Sequence, residues 1–356
     1  MMTTFNPRNL ARPELLDLTP YQSARRIGGR GDIWINANES PFNNSDIDKL
    51  NRYPECQPPE LINAYAEYAG VKSNQVVASR GADEAIELLI RTFCVPGKDS
   101  IATFGPTYGM YAISAATFNV AVEKLDLTDK YQLPAQWPNK INNAKLVFIC
   151  NPNNPTGTVI SKQDIETAIQ SAPQAIVVVD EAYIEFCPEY SVADLIDTYP
   201  NLVVLRTLSK AFALAGARCG FMLANQAIID LVMLVIAPYP VPLPVSELAV
   251  NALSENGLTT MKNQVAELNQ QGKRLVSALK EVGADVQMPN GNFVLANFNG
   301  AGKFTNVAEV GQLLADNGIV ARAYKDPRLA DAIRFSFASE QQTNKIIDVL
   351  LTVKSA

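Results

Sequence analysis

The chain has 356 residues, 47% of them apolar, which is more than one hydrophobic core usually serves and predicts two domains. A net charge of −6 with no Lys/Arg-rich run argues against a nucleic-acid or anionic-membrane partner and leaves small molecules as the expected ligands. With no histidine at all, Ser-His-Asp and Cys-His catalysis and His-based zinc or iron sites are excluded, so acid–base chemistry falls to Lys, Asp, Glu, Tyr or a cofactor.

From the N-terminus, "MMTTFNPRNLARPELLDL" lacks a basic region followed by an apolar one and a cleavage site. The most apolar stretch, "LVMLVIAPYPVPLPV", is broken by prolines well short of a membrane span, so a cytoplasmic protein is expected. Five scattered cysteines, odd in number and never in a C-x-x-C pair, read as reduced, buried thiols and not as a zinc site; no metal is expected.

Apolar runs rich in β-branched residues then recur: "QVVAS", "SIATF", "KLVFIC", "AIVVVD", "LVVLRT" and "CGFMLA". Most are ended by Gly, Asn or Asp, and amphipathic stretches separate several of them, the pattern of a mainly parallel α/β sheet buried on both faces. The clearest helix is "GADEAIELLIRTF", in which Ile86, Leu89, Ile90 and Phe93 share one face. Residues 45–240 are expected to form this large domain, preceded by an N-terminal arm, 1–44, that also contributes to the smaller one. The prolines of "PYPVPLP" mark a change of direction, and 241–356 then reads as a smaller α+β domain with a long helix through "TTMKNQVAELNQQGKRLVSALKEVG".

Ligands of open α/β sheets collect outside the carboxyl ends of strands, so the residues that follow each run carry the functional reading. After "QVVAS" comes Arg80-Gly81-Ala82-Asp83 at a helix start; after "KLVFIC" comes "NPNNPTG"; Asp180 ends "AIVVVD"; Ser209 and Lys210 follow "LVVLRT". Taken singly each has an ordinary explanation: a tight turn, turn-favouring Asn and Pro, a solvated lysine. Taken together they match the needs of one cofactor, pyridoxal phosphate. That group requires a lysine for a Schiff base, an aspartate to keep its pyridine nitrogen protonated, and a helix N-terminus with hydroxyls and an arginine, here Arg218, for its phosphate.

The segment "TLSKAFALAGARCG" resembles the lysine motif of fold type I pyridoxal-phosphate aminotransferases. "LTPYQSARRIGG", "NANESP", "NRYPECQ", "SRGADEAIELLIR", "PTYGMY", "NPNNPTG" and "VVDEAYIEFCP" together resemble the histidinol-phosphate aminotransferase family over nearly the whole chain. The resemblance implies transfer of an amino group between L-histidinol phosphate and 2-oxoglutarate in histidine biosynthesis. It implies Lys210 as the cofactor-bearing lysine and proton shuttle, Asp180 on the pyridine nitrogen, and Asn154 and Tyr183 on the phenolic oxygen. Tyr108 and Ala182 would cover the two ring faces, and Ala82, Asp83, Thr207, Ser209 and Arg218 would hold the phosphate. Tyr53 corresponds to the tyrosine that reaches the neighbouring subunit's phosphate site, so a homodimer is implied. Tyr21, Arg322 and Arg334 would bind substrate. Between the two arginines the chain departs from the family's Gly- and Pro-containing connection and reads "AYKDPRLADA", which makes Tyr324 and Arg328 candidates for altering the pocket. Threonine-phosphate decarboxylases and aromatic aminotransferases share the fold and are the nearest rival readings. A nicotinamide dehydrogenase is disfavoured because "RIGGRGD" neither follows a strand nor has the G-x-G-x-x-G spacing.

Overall fold

The apolar runs become strands of the larger sheet, "QVVAS" at one edge and the others inside it. In the computed structural model, which describes residues 5–29, 31–300 and 302–352, this sheet comprises β1 (Val76–Ser79), β2 (Ser100–Gly105), β3 (Ala121–Asp126), β4 (Ala144–Cys150), β5 (Ile176–Asp180), β6 (Leu202–Thr207) and β7 (Gly220–Ala224). Their order is β1-β7-β6-β5-β4-β2-β3. The neighbours from β3 to β6 pair in parallel, while β7 is antiparallel to both β6 and β1. Two antiparallel steps in succession restore the direction, so β1 to β6 all point their carboxyl ends to one edge. The strand β3 was absent from the expected set because "AVEKLD" is not an apolar run: as the edge strand it buries only Leu125.

The helices are α1 (Ala24–Ile27), α2 (Pro59–Ala69), α3 (Ala82–Phe93), α4 (Met110–Thr117), α5 (Lys162–Ser171), α6 (Gln226–Val235), α7 (Leu243–Ala252), α8 (Glu255–Glu281), α9 (Val307–Asp316) and α10 (Glu340–Thr352). Apolar residues of α2, α5 and α7 pack on one face of the large sheet and those of α3, α4 and α6 on the other. Ile86, Leu89, Ile90 and Phe93 of α3 are fully buried, as their spacing predicts. Burial of each is worth about 1.5–3 kcal/mol. Along β5 the two-residue alternation sends Val177 and Val179 into one core and Ile176 and Val178 into the other.

A second sheet, β8 (Asp285–Val286), β9 (Phe293–Asn297), β10 (Arg322–Ala323) and β11 (Ala332–Ser336), is antiparallel in the order β10-β11-β9-β8. It shares a core with α8, α9 and α10. The prolines do turn the chain: Pro242 caps α7 and Pro244 sits in its first turn. The change of core comes later, inside α8, where Met261 and Val265 pack with the large core and Leu275, Val276 and Leu279 with the small one. The N-terminal segment differs from the expectation of a share in the smaller domain. Its buried residues Leu10 and Ala11 complement α3 and α6 of the large core, and the Arg12 N–H bonds Thr92 O at 3.0 Å. Residues 1–4 and 353–356 of the terminal ranges lie outside the described residues. All five cysteines are free and buried, and among the described residues no helix is long and apolar enough to cross a membrane.

Candidate active site

A cleft of about 520 Å³ opens where the carboxyl ends of β2, β4, β5 and β6 lie side by side, and the second sheet closes its far wall. Ala82, Asp83, Tyr108, Asn154, Asp180, Ala182, Tyr183, Thr207, Ser209, Lys210, Arg218, Arg322 and Arg334 all line it, although they span more than 250 positions in sequence. The fold brings most of them together because β1, β2, β4, β5 and β6 deliver the residues at and just after their ends to the same edge, while Arg322 and Arg334 reach it from β10 and β11.

Asp180 ends β5 on the face that carries Ile176 and Val178. Burial pushes its carboxyl up to about 6, while the Tyr111 hydroxyl, donating at 2.6 Å, and the Ala182 N–H, donating at 3.1 Å, hold it down. A buried carboxylate whose partners are neutral donors still favours a cation. Lys210 follows β6, with its ammonium 5.5 Å from the centroid of the Tyr183 ring. Burial lowers its pKa, the neighbouring Arg334 lowers it further, and Asp83 and Asp180 oppose the shift. Asn154 Nδ2 donates to the Tyr183 hydroxyl at 3.1 Å, and Asn154 Oδ1 accepts from Arg334 Nη1 at 2.5 Å, so one amide joins the two sheets across the cleft.

The rim beside β1 is built for an anion. Helix α3 starts at Gly81 with no side-chain cap, leaving first-turn N–H groups facing the cleft. Arg218, in the left-handed region at φ 53, holds Asp83 at 3.2 Å. The Thr207 hydroxyl donates to Ser209 Oγ at 3.0 Å. Gly81 is required by its left-handed backbone and Gly220 by close approach of another backbone segment. A Cβ on Gly81, at φ 85, would lie 2.8 Å from Arg218 Nη2, and one on Gly220 would lie 2.5 Å from Ala82 N. Tyr108, whose hydroxyl donates to Asp83 Oδ1 at 3.0 Å, projects from the loop after β2.

These residues fit pyridoxal phosphate: a buried carboxylate seeking a cation, an amine kept below its ordinary pKa, and uncapped helix N–H groups beside an arginine and two hydroxyls. Two of the residues singled out in the sequence do not reach the cleft of their own chain. Tyr21 is 69% exposed, and Tyr53 is 49% exposed and stacks on Tyr239 with centroids 4.3 Å apart. Of the two divergent-connection candidates, Tyr324 lines the cleft. Arg328 instead donates to Gly105 O at 3.0 Å and Thr128 O at 3.3 Å, tying the connection to the large sheet. Sequence reasoning missed Tyr111, although it ends the quoted "PTYGMY", because its bond to Asp180 joins residues 69 positions apart. It also missed Cys150 and Thr107 of the lining.

The model of the family described as "Aminotransferase class I and II" matches residues 32–350. A histidinol-phosphate aminotransferase of Shewanella oneidensis is 69% identical, over 97% of this chain and 89% of its own. Another, from Shewanella amazonensis, is 59% identical over 97% of this chain and 95% of its own. Among solved structures, the histidinol-phosphate aminotransferase of Sinorhizobium meliloti in complex with pyridoxal-5'-phosphate has the same fold. It aligns with a TM-score of 0.76 at 22% identity, over 88% of this chain and 89% of that one.

Proposed function

This chain belongs to the class I and II aminotransferases and, within them, to the pyridoxal-phosphate-dependent histidinol-phosphate aminotransferase family, and from that premise we propose the roles of its residues. It exchanges the amino group between L-histidinol phosphate and 2-oxoglutarate, a step of histidine biosynthesis. When bound, the cofactor supplies an electron sink for the pair left at the substrate Cα when its proton departs.

Lys210 would hold the cofactor through its side-chain amine, and that amine, when free, would take up the proton leaving the substrate Cα. Its lowered pKa leaves more of the amine unprotonated for that work, and a chain without histidine offers no rival imidazole. Asp180 holds the proton on the pyridine nitrogen, and Tyr111 orients that carboxylate. Asn154 and Tyr183, already bonded to each other, would donate to the phenolic oxygen. Tyr108 and Ala182 would confine the ring, and the α3 N-terminus, Thr207, Ser209 and Arg218, which line the same cleft, would hold the phosphate.

The observation that carries the substrate assignment is the pair of arginines. Arg322 and Arg334 are direct cross-strand partners in β10 and β11, and both line the cleft that contains Lys210. Two guanidinium forks suit a phosphate or a carboxylate in turn, which a substrate pair consisting of a phosphomonoester amine and a dicarboxylate demands. The test measures single half-reactions with histidinol phosphate, phenylalanine and threonine phosphate. We expect histidinol phosphate to be converted fastest, and Lys210→Ala to lose nearly all turnover. Faster conversion of phenylalanine, or release of carbon dioxide from threonine phosphate, overturns the assignment.

The assembly we propose is a homodimer in which Tyr53 and Tyr21 serve the partner's cleft; their exposure outside their own cleft supports this. A cytoplasmic setting is supported by five free thiols, which a reducing compartment preserves.

A further inference from the structure

Tyr324 follows β10 in the connection where the sequence leaves the family pattern, and it lines the cleft with Arg322 and Arg334. Its hydroxyl is closed off from solvent and has no hydrogen-bond partner among the described residues; the same holds for Arg334 Nε. Buried donors left unpaired are costly, and two of them beside one cleft point to a ligand group that accepts from both. The Arg322 guanidinium stands 6.0 Å from the centroid of the Tyr324 ring, so the hydroxyl and the two forks share one electropositive corner. Burial raises the phenol's pKa against the pull of the two arginines, so at neutral pH it is a donor.

The segment that bears this hydroxyl is anchored. Asp326 caps the turn after it by accepting from Arg328 N at 2.9 Å, and Leu329 is buried. The Arg328 guanidinium bonds Gly105 O and Thr128 O and lies 5.8 Å from the centroid of the Tyr131 ring. Gly105 ends β2, two residues before Thr107 of the cleft wall. Tyr324 is therefore fixed relative to the large sheet, although it belongs to the small one.

We propose that the Tyr324 hydroxyl is a substrate-binding donor that, with Arg322 and Arg334, selects a phosphomonoester over a carboxylate. A carboxylate has two oxygens in one plane, which planar guanidinium forks can saturate. A phosphate has a third terminal oxygen out of that plane, and this is the acceptor a further donor needs. The inference rests on the phosphate-substrate reading given above and deepens it.

The experiment uses the holoenzyme and Tyr324→Phe, which removes one oxygen and keeps the ring. We expect KM for histidinol phosphate to rise by about tenfold, a single charge-assisted hydrogen bond, and KM for glutamate to change by less than about twofold, with kcat for both preserved. Inorganic phosphate, used as a competitive inhibitor against glutamate, is expected to weaken in parallel with histidinol phosphate. Arg328→Ala should reproduce part of the phosphate-specific KM penalty by releasing the segment, and Arg328→Lys less of it. Equal KM changes for the two substrates, no change in either, or a fall in kcat at constant KM overturns the proposal. A wild-type enzyme inert toward histidinol phosphate sinks the underlying function instead, and in that case the inorganic-phosphate comparison still decides the role of Tyr324.

Discussion

At the scale of single residues the chemistry is set by what surrounds Asp180 and Lys210. The Asp180 carboxyl must be ionised to pair with a ring-nitrogen cation, and burial has brought its titration up to about 6. Cofactor affinity of the apoenzyme is therefore expected to fall as pH drops through that value. The sign for stability is opposite: a folded-state pKa raised above the unfolded one means the apoprotein loses stability as pH rises through about 6. Tyr111→Phe removes a donor that favours the ionised form, so the affinity limb should move up by about one pH unit. Asp180→Asn should abolish the limb and slow chemistry by orders of magnitude. Spectroscopic titration of apoenzyme with cofactor across pH 5–8 checks both, and a Tyr111→Phe limb that stays in place would show the 2.6 Å bond to be unimportant. Asp180 and Lys210 were legible in the sequence because they follow successive apolar runs in the order, and within the motifs, that one cofactor needs. Tyr111 was not, since an aromatic within an apolar helix reads as core until its partner across the fold is known.

Among elements, the decisive contact is that of β7 with the start of α3. Gly220 opens β7 with the Ala82 nitrogen so close that a methyl group on it would lie 2.5 Å away. Gly220→Ala must push the helix terminus and its N–H groups outward. We expect at least tenfold weaker cofactor binding and about 1–3 kcal/mol lower stability, measured by titration and by denaturant unfolding. Unchanged affinity would mean that these N–H groups do not hold the phosphate. The interior strands and α3 were readable from sequence because burial on both faces leaves an unbroken apolar signature. The edge strand β3 and the two-residue strands β8 and β10 were harder, because one neighbour or two residues leave little pattern to read. The register that opposes Arg322 to Arg334 is a long-range pairing that neither segment announces alone.

For the whole molecule, the cleft takes its amine, its carboxylate and Arg218 from the larger unit and Arg322 and Arg334 from the smaller one, with α8 running through both cores. The proposed homodimer would add a third source. If Tyr53 serves the partner's cleft, mixing inactive Lys210→Ala chains with Tyr53→Phe chains, weakened in phosphate binding, should raise activity above that of either alone, because each mixed dimer rebuilds one native cleft. Subunit exchange followed by assay checks this, and sedimentation confirms that dimers form; no recovery from mixed dimers would confine Tyr53 to its own chain. One feature of the smaller sheet has a bearing on ancestry. Because Arg322 and Arg334 are tied to each other through the ladder, the residues between them are not needed to keep the two forks in register. That connection can drift in length and composition while the anion grip and the lysine chemistry across the cleft are inherited intact. A lineage can thus try new donors at the pocket mouth, Tyr324 among them, and change what it accepts without first breaking what it already does.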